Sequence, residues 1–171
     1  MFLGITYIQY VATVIGLGTF LPQGSLPPND GTDRWRVALG ANVASTPGPG
    51  ESGVLTIDRL LGAPVWRELR PFWGVGVSVD GALFVSAGLR REFRLGNVTI
   101  MPYFGPALYQ ADVGGGFRSD ELLQFRTGVE VSYAFSDQMR AGVGFYHLSN
   151  AGLTAGSADL DVAYAGFSWR F

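Results

Sequence analysis

The sequence predicts an all-β fold, an eight-stranded antiparallel up-and-down β-barrel that crosses a membrane, preceded by an apolar N-terminal segment. Apolar and polar side chains alternate along eight segments, and turn residues separate these segments. The 25 glycines, 13% aromatic and only 15% charged residues are typical of strands and turns. A mean hydropathy of +0.21 is high for a soluble domain, but the chain lacks the several long apolar runs of a helical membrane protein.

The residue types that the chain lacks exclude several kinds of site. There is no cysteine and no lysine, and there is one histidine among 171 residues. These absences exclude a disulfide framework, a thiolate metal site, a cysteine nucleophile and a multi-histidine zinc site. A net charge of −2 without a basic cluster argues against a nucleic-acid-binding surface. We expect neither a metal nor an organic cofactor.

Residues 1–24 form an apolar segment that has two main interpretations. Phe2 to Leu21 contains no charge and has about the length of a membrane-spanning helix. The segment is either a secretory signal that is removed or a retained segment that binds the membrane or a partner protein; an extra strand is a third option. The lack of basic residues disfavours a signal, and the β-branched, glycine-containing sequence disfavours a helix. Residues 25–33 are predicted to be a linker and residues 34–171 the barrel domain.

The segment from Leu122 to Phe135 shows the alternation most clearly. Its odd-numbered positions are mainly large and apolar, whereas its even-numbered positions include Gln124, Arg126, Glu130 and Ser132. Several other segments also carry their apolar residues at odd-numbered positions. Because charges of both signs can pair inside a small barrel, we expect the polar faces to point inward and the apolar faces to contact lipid.

The predicted strands are bounded by turn residues. They are Arg34 to Val43, Gly53 to Arg59, Pro71 to Val79, Ala82 to Phe93, Asn97 to Ala107, Leu122 to Phe135, Gln138 to Ser149, and Leu160 to Phe171. The turns Val79-Asp80-Gly81 and Ser136-Asp137 are short, whereas Ser45 to Ser52 and Asp112 to Ser119 are longer and rich in glycine. Tight turns and long loops occupy opposite ends of membrane barrels, so we expect the two short turns to share an end. Leu60 to Arg70 is expected to form a short helix or an extended loop.

The candidate site surrounds the single histidine. Residues i and i+2 of a strand point to the same face, so His147 and Ser149 share the outward, apolar face. A serine and histidine pair needs a carboxylate to orient the imidazole, and Asp159 and Asp161 follow with the same parity. Spacing modestly favours Asp161. We predict that Ser149 is the nucleophile, His147 the general base and Asp161 the orienting residue.

Asn150 and the backbone amides that extend to Gly152 are the candidates for an oxyanion hole. An outward-facing site is unusual for a soluble hydrolase. A lipid substrate, however, lies in the membrane beside the barrel wall. Catalytic groups near the ends of the strands can reach an ester close to the lipid head group.

Two sequence features resemble known families. The chain ends in Phe167-Ser168-Trp169-Arg170-Phe171, which is similar to the C-terminal assembly signature of bacterial outer-membrane barrels. The motif from His147 to Gly152 resembles the His-x-Ser-Asn signature of the lipid A 3-O-deacylases (PagL-type), and the similarity extends from about Val54 to Phe171. That resemblance implies an eight-stranded outer-membrane barrel with an outward Ser-His-Glu triad. The third member falls on Asp161, whose side chain is one methylene shorter than glutamate.

The leading functional prediction is a membrane-associated serine esterase that removes an ester-linked acyl chain from lipid A or a similar lipid in the bacterial outer membrane. The alternative is a non-catalytic structural subunit of a larger membrane complex. In that case Phe2 to Leu21 is retained, contacts partner proteins and associates the chain with an inner-membrane complex. A third possibility, a small lipid-binding or adhesion barrel, leaves the alignment of histidine, serine and aspartate unexplained.

Overall fold

Nine β-strands and their connections make up the part of the chain that this computed structural model describes, residues 31–43, 53–79, 81–110, 122–150 and 160–170. The strands are β1 (Arg34–Asn42), β2 (Val54–Leu60), β3 (Arg70–Ser78), β4 (Leu83–Arg90), β5 (Phe93–Leu95), β6 (Val98–Gln110), β7 (Leu123–Ala134), β8 (Met139–Ser149) and β9 (Leu160–Trp169). Their bounds lie within a few residues of the predicted ones. None of the described residues belongs to a helix that is long and apolar enough to cross a membrane.

All nine strands belong to one antiparallel sheet that closes on itself. Neighbours pair in the order β4, β3, β2, β1, β9, β8, β7, β6 and β5, and a further pairing of β4 with β6 closes the sheet. β4 and β5 pair with β6 in one continuous register, from Arg90 opposite Tyr103 to Phe93 opposite Ile100. They therefore count as a single barrel strand. The predicted eight-stranded antiparallel barrel is confirmed.

The interruption between β4 and β5 differs from the single strand that the sequence predicted from Ala82 to Phe93. The backbone N–H of Arg91 donates to the carbonyl oxygen of Pro102 at 3.1 Å. Pro102 has no N–H with which to return a hydrogen bond, so the ladder breaks at this point. The strand resumes beyond the proline and continues to Leu95.

Charged side chains form a buried network inside the barrel. Arg36 donates from Nη1 to Glu130 Oε2 at 2.7 Å and from Nη2 to Asp58 Oδ2 at 2.8 Å. Arg126 Nη1 donates to the second oxygen of Asp58, also at 2.7 Å. All four side chains are almost completely buried. Buried charges require such partners, and the network confirms that the polar faces point inward.

Aromatic rings pack around this network. The guanidinium of Arg126 lies 4.6 Å from the centroid of the Tyr146 ring and 5.3 Å from that of Tyr103. Tyr103 in turn meets Phe72 edge to face, with the centroids 5.6 Å apart. The interior is therefore a packed core of rings and paired charges.

The outer surface carries the large apolar residues, as predicted. Trp73, Val75 and Val77 on β3 and Val129, Val131 and Tyr133 on β7 are all more than one third exposed. Exposed apolar residues on almost every strand form a band around the barrel. Such a band contacts hydrocarbon in a membrane barrel.

The two ends of the barrel differ in their connections. We call the end with the connections over residues 43–53, 79–82, 111–122 and 150–159 the loop end. The opposite end, where β1 begins and β9 finishes, is the terminal end. Successive connections of an up-and-down barrel alternate between the ends, which puts the turn at Val79 to Gly81 at the loop end and the turn at Ser136-Asp137 at the terminal end. The expectation that the two short turns share an end was wrong.

The connection from Leu61 to Leu69 is an extended loop, so the helical alternative was wrong. The backbone N–H of Leu61 donates to the carbonyl of Pro71 at 3.1 Å, and that of Val65 donates to the carbonyl of Leu69 at 2.9 Å. These bonds fold the loop back on itself at the terminal end.

Candidate functional site

His147 and Asp161 face each other across the pairing of β8 with β9. The imidazole Nδ1 lies 2.8 Å from Asp161 Oδ1, a hydrogen-bond distance. The two side chains are 38% and 36% exposed. The pair therefore lies on the outer wall of the barrel, near the loop end.

The neighbours of these residues explain their direction. Tyr146 and Leu148 flank the histidine along β8, and both are completely buried in the barrel interior. Leu160 and Val162 flank the aspartate along β9 and are buried as well. Because successive strand residues point to opposite faces, the intervening His147 must point outward. The outward parity assigned to both residues from the sequence agrees with this geometry.

Asp161 reaches the imidazole although it is shorter than glutamate. The register places the two residues directly opposite each other, where Cβ atoms are about 4.5–5.5 Å apart in antiparallel sheets. At that separation a short carboxylate spans the gap. The missing methylene does not prevent the hydrogen bond.

Ser149 is the last residue of β8 and is 6% exposed. Among the described residues no hydrogen bond joins its hydroxyl to His147. Two residues along a strand are roughly 6.6 Å apart at their Cα atoms, so contact requires both side chains to turn toward each other. The structure brings together His147 and Asp161, and it places Ser149 next to them without that contact.

The other predicted site residues are described only in part. Asn150 follows β8 directly and is buried, with 4% of its surface exposed. Gly152 and the alternative carboxylate Asp159 lie outside the described residues. The oxyanion hole therefore stays a prediction.

Two residues that lie next to the site were not identified from the sequence. Thr127 on β7 is directly opposite His147, on the side away from Asp161, and Phe125 is opposite Ser149. Phe125 stacks on Phe104 of β6 with ring centroids 6.2 Å apart and an interplanar angle of 7°. The sequence signal for Thr127 was a polar residue at an odd-numbered position of β7, because the other odd-numbered positions of that strand are apolar.

An open groove of about 520 Å³ lies on the outer wall along β9, between β1 and β8. Its floor includes Ala163 and Ala165, which follow Asp161 along β9 on the same face. Leu39 of β1 lines one side and Val143 of β8 the other. A strand rises about 3.3 Å per residue, so the groove begins within roughly 7 Å of Asp161 and continues toward the terminal end.

The described residues contain no group of three or more histidine, aspartate or glutamate side chains placed to hold a metal ion. The chemistry available at this site is that of a hydroxyl, an imidazole and a carboxylate. These are the groups of nucleophilic acyl transfer.

Solved structures with the same fold are membrane barrels. The outer-membrane enzyme PagL is 17% identical, with a TM-score of 0.57 over 81% of this chain and 99% of that one. The N-terminal barrel domain of Pseudomonas aeruginosa OprF is 10% identical, with a TM-score of 0.61 over 82% and 98%. Neisserial surface protein A is 14% identical, with a TM-score of 0.56 over 83% and 98%. At these identities the likeness concerns the fold.

The sequence comparison identifies the family. No curated protein sequence matches the chain. The family described as lipid A 3-O-deacylase (PagL) matches residues 57–169, which is more than half of the chain and covers the barrel from within β2 to the end of β9. The chain therefore belongs to the lipid A 3-O-deacylase (PagL) family of the bacterial outer membrane.

Proposed function

We propose that the protein is a serine esterase that removes an ester-linked acyl chain from lipid A or a similar lipid in the outer leaflet. The observation that carries the proposal is the 2.8 Å hydrogen bond between His147 and Asp161 on the lipid-facing wall, two positions from Ser149. Membrane barrels direct their longer connections outward, so the loop end faces the cell exterior. The three side chains then lie at the level of the outer-leaflet lipids.

The proposed reaction begins with Asp161. Its carboxylate accepts the Nδ1–H of His147, which leaves the Nε2 lone pair free to act as a base. Nε2 takes the proton of Ser149 as the serine oxygen attacks the ester carbonyl. The same proton then passes to the departing sugar oxygen. Water repeats the sequence on the acyl-serine, releases the fatty acid and restores the hydroxyl.

Formation of the Ser149–His147 hydrogen bond is the conformational requirement of this mechanism. Catalytic hydrogen bonds are often long without substrate and tighten when it binds. We propose that rotation about the side-chain bonds of the two residues forms this bond, because alternate residues of a strand share a face. Asn150 and the backbone amides toward Gly152 are the proposed donors to the oxyanion.

The groove along β9 is the proposed position of the acyl chain that is cleaved. Ala163 and Ala165 leave space beside β9, whereas Phe167 two positions further is a large side chain on the same face. An acyl chain that lies in this groove has its ester at the loop end, beside Asp161 and His147. Contact with the alanines buries methylenes at about 0.8 kcal/mol each.

The proposal is tested by removing the nucleophile and the base separately. Ser149→Ala and His147→Ala are expected to abolish release of fatty acid from lipid A presented in outer-membrane vesicles, measured by mass spectrometry of the lipid. A fluorophosphonate probe should label Ser149 in the unaltered protein and in neither variant. Ser136→Ala, in an exposed turn at the terminal end, is the matched control and should retain both properties.

Full activity of either site variant would refute the proposal. Circular dichroism and the heat-dependent mobility of the barrel in electrophoresis must show that both variants are folded. These measurements distinguish a loss of activity caused by unfolding from one caused by removal of a catalytic group.

A structural, non-catalytic role is the second candidate, and the absence of a hydrogen bond between Ser149 and His147 is the observation that favours it. In that case the barrel braces a larger membrane assembly, and Phe2 to Leu21 contacts its other subunits. Intact-mass analysis of the native protein distinguishes the two. A full-length mass, no probe labelling and copurifying subunits would support the structural role.

A further inference from the structure

The loop over residues 61–69 at the terminal end is held firmly but exposes apolar side chains. The backbone N–H of Gly62 donates to Asp33 Oδ1 at 2.8 Å, and Arg70 donates to the carbonyl of Gly62. Arg91 Nε donates to Glu68 Oε2 at 3.0 Å and ties the tip to the barrel wall. In spite of these anchors, Val65 is 64% and Trp66 54% exposed at the tip.

The same tip carries a positive charge in an unusual conformation. Arg67 has a φ of +50°, a left-handed value that is uncommon for a residue with a side chain. Its guanidinium lies 5.0 Å from the centroid of the Trp66 ring. The loop therefore presents a tryptophan and an arginine side by side, the combination that anchors proteins at the boundary between hydrocarbon and head groups.

Among the residues that the structure describes, charge is distributed unequally between the two ends of the barrel. Outside the buried interior network the described part of the terminal end carries five arginines, Arg59, Arg67, Arg91, Arg94 and Arg170. The carboxylates of that region are Asp33, Glu68 and Asp137. Outside the barrel interior, the charge at the described part of the loop end is that of Asp161. The described part of the terminal end thus has an excess of positive charge.

We propose that the terminal end binds anionic glycerophospholipids of the inner, periplasmic leaflet, with the 61–69 loop as its head-group contact. Val65 and Trp66 enter the boundary of the acyl chains, and Arg67 meets the phosphate. Arg94, in the neighbouring strand β5, adds to the attraction at the same end. Firm anchoring of the loop explains how an exposed tryptophan is kept in position, and positive charge selects anionic over zwitterionic lipid.

The test measures which lipid the full chain retains. The protein is reconstituted with equal amounts of phosphatidylglycerol and phosphatidylcholine of the same acyl chains, and retained lipids are counted by native mass spectrometry. We expect phosphatidylglycerol to predominate. An arginine near an anionic surface contributes about 1 kcal/mol, so Arg67→Gln with Arg94→Gln should lower the preference by roughly fivefold per charge.

The double lysine variant, Arg67→Lys with Arg94→Lys, is the matched control and should keep the preference. Equal retention of the two lipids by the unaltered protein would overturn the proposal and point to a protein partner for the exposed tip. An undiminished preference in the double glutamine variant would overturn it as well. Deacylation by Ser149 does not enter the measurement, so the result is independent of the proposed function.

Discussion

At the scale of single residues, the outer wall places a polar pair where apolar side chains are the rule. His147 and Asp161 were predicted from parity, because every second residue of a strand shares a face. The missing contact between Ser149 and His147 was not predictable. It depends on side-chain torsions, and the positions of residues along a strand do not determine them.

The orienting carboxylate gives the first prediction. Asp161→Asn replaces the acceptor of the Nδ1–H with an amide that can favour the wrong tautomer, so kcat for deacylation should fall by roughly two to four orders of magnitude. KM should change little, because in the proposed mechanism Asp161 acts by orienting the imidazole. Steady-state kinetics on lipid A in mixed micelles measures both quantities.

Asp161→Glu keeps a carboxylate at this position and should retain part of the activity that Asp161→Asn loses. Asp137→Asn, in the exposed turn at the terminal end, is the control and should leave kcat unchanged. Normal turnover by Asp161→Asn would remove the aspartate from the mechanism.

A second carboxylate, Asp33, links stability to pH at the terminal end. A hydrogen bond from the backbone N–H of Gly62, with contributions from Arg59, holds the pKa of Asp33 below its usual value of 3.8, although partial burial opposes the shift. A carboxyl group whose pKa is depressed by folding stabilises the protein above its unfolded pKa. That stabilisation is lost as the pH falls through the folded value.

We therefore predict that the stability difference between the unaltered protein and Asp33→Asn is present at neutral pH and shrinks below about pH 4. Urea unfolding in lipid vesicles, followed by tryptophan fluorescence at several pH values, measures it. A difference that grows in acid would contradict the assignment.

At the scale of elements, the seam between β4 and β6 depends on close contact of two backbones. A Cβ atom added to Gly88 would lie 2.1 Å from the carbonyl oxygen of Phe104, and one added to Gly105 would lie 2.0 Å from that of Ala87. Backbone atoms cannot move aside as a flexible side chain can. Glycine at both positions therefore allows the backbones of β4 and β6 to approach closely enough to close the barrel.

Gly88→Ala should destabilise the barrel by about 1–3 kcal/mol, because overfilling a tightly packed site forces the backbone to shift. Gly166→Ala is the matched control, since its added Cβ would meet a side-chain atom, Ala38 Cβ, at 3.1 Å, which a shift of a few tenths of an ångström relieves. The free energy of unfolding in urea, measured in vesicles, should fall more for Gly88→Ala. Equal losses of unfolding free energy in the two variants would show that close contact between the backbones of β4 and β6 does not limit the residue at position 88.

Strand positions were largely predictable because one face of every strand meets lipid and the other meets the packed interior. The break after Arg90 was not predicted, because it arises from Pro102 on the partner strand. The position of the two short turns was misjudged for a different reason. Turn length was taken as the guide, whereas the alternation of connections along the chain determines the end.

At the scale of the whole molecule, Asp58 holds together strands that are distant in sequence. It accepts hydrogen bonds from Arg36 and Arg126, and it is completely buried. Asp58→Asn leaves the buried guanidinium of Arg126 without a counter-charge and leaves Arg36 paired with Glu130, and it should cost about 3–5 kcal/mol. The midpoint of urea unfolding in vesicles is the readout, and Asp137→Asn, in an exposed turn, is the control.

An unchanged midpoint for Asp58→Asn would show that the interior tolerates Arg126 without a counter-charge. The existence of this network was predicted from the polar parity of the strands. Its partners were not, because the register between strands decides which inward residues meet.

The pairing of β1 with β9 has a consequence for the biosynthesis of the protein. β1 can pair with β9 only after β9 has been synthesised. The barrel therefore cannot close while the chain is still being elongated. Until then both outer strands offer unpaired amides and carbonyls, which hydrocarbon cannot satisfy. Entry into the bilayer is therefore coupled to completion of the chain, and loss of the final strand leaves a polypeptide with two open edges and no stable place in a membrane.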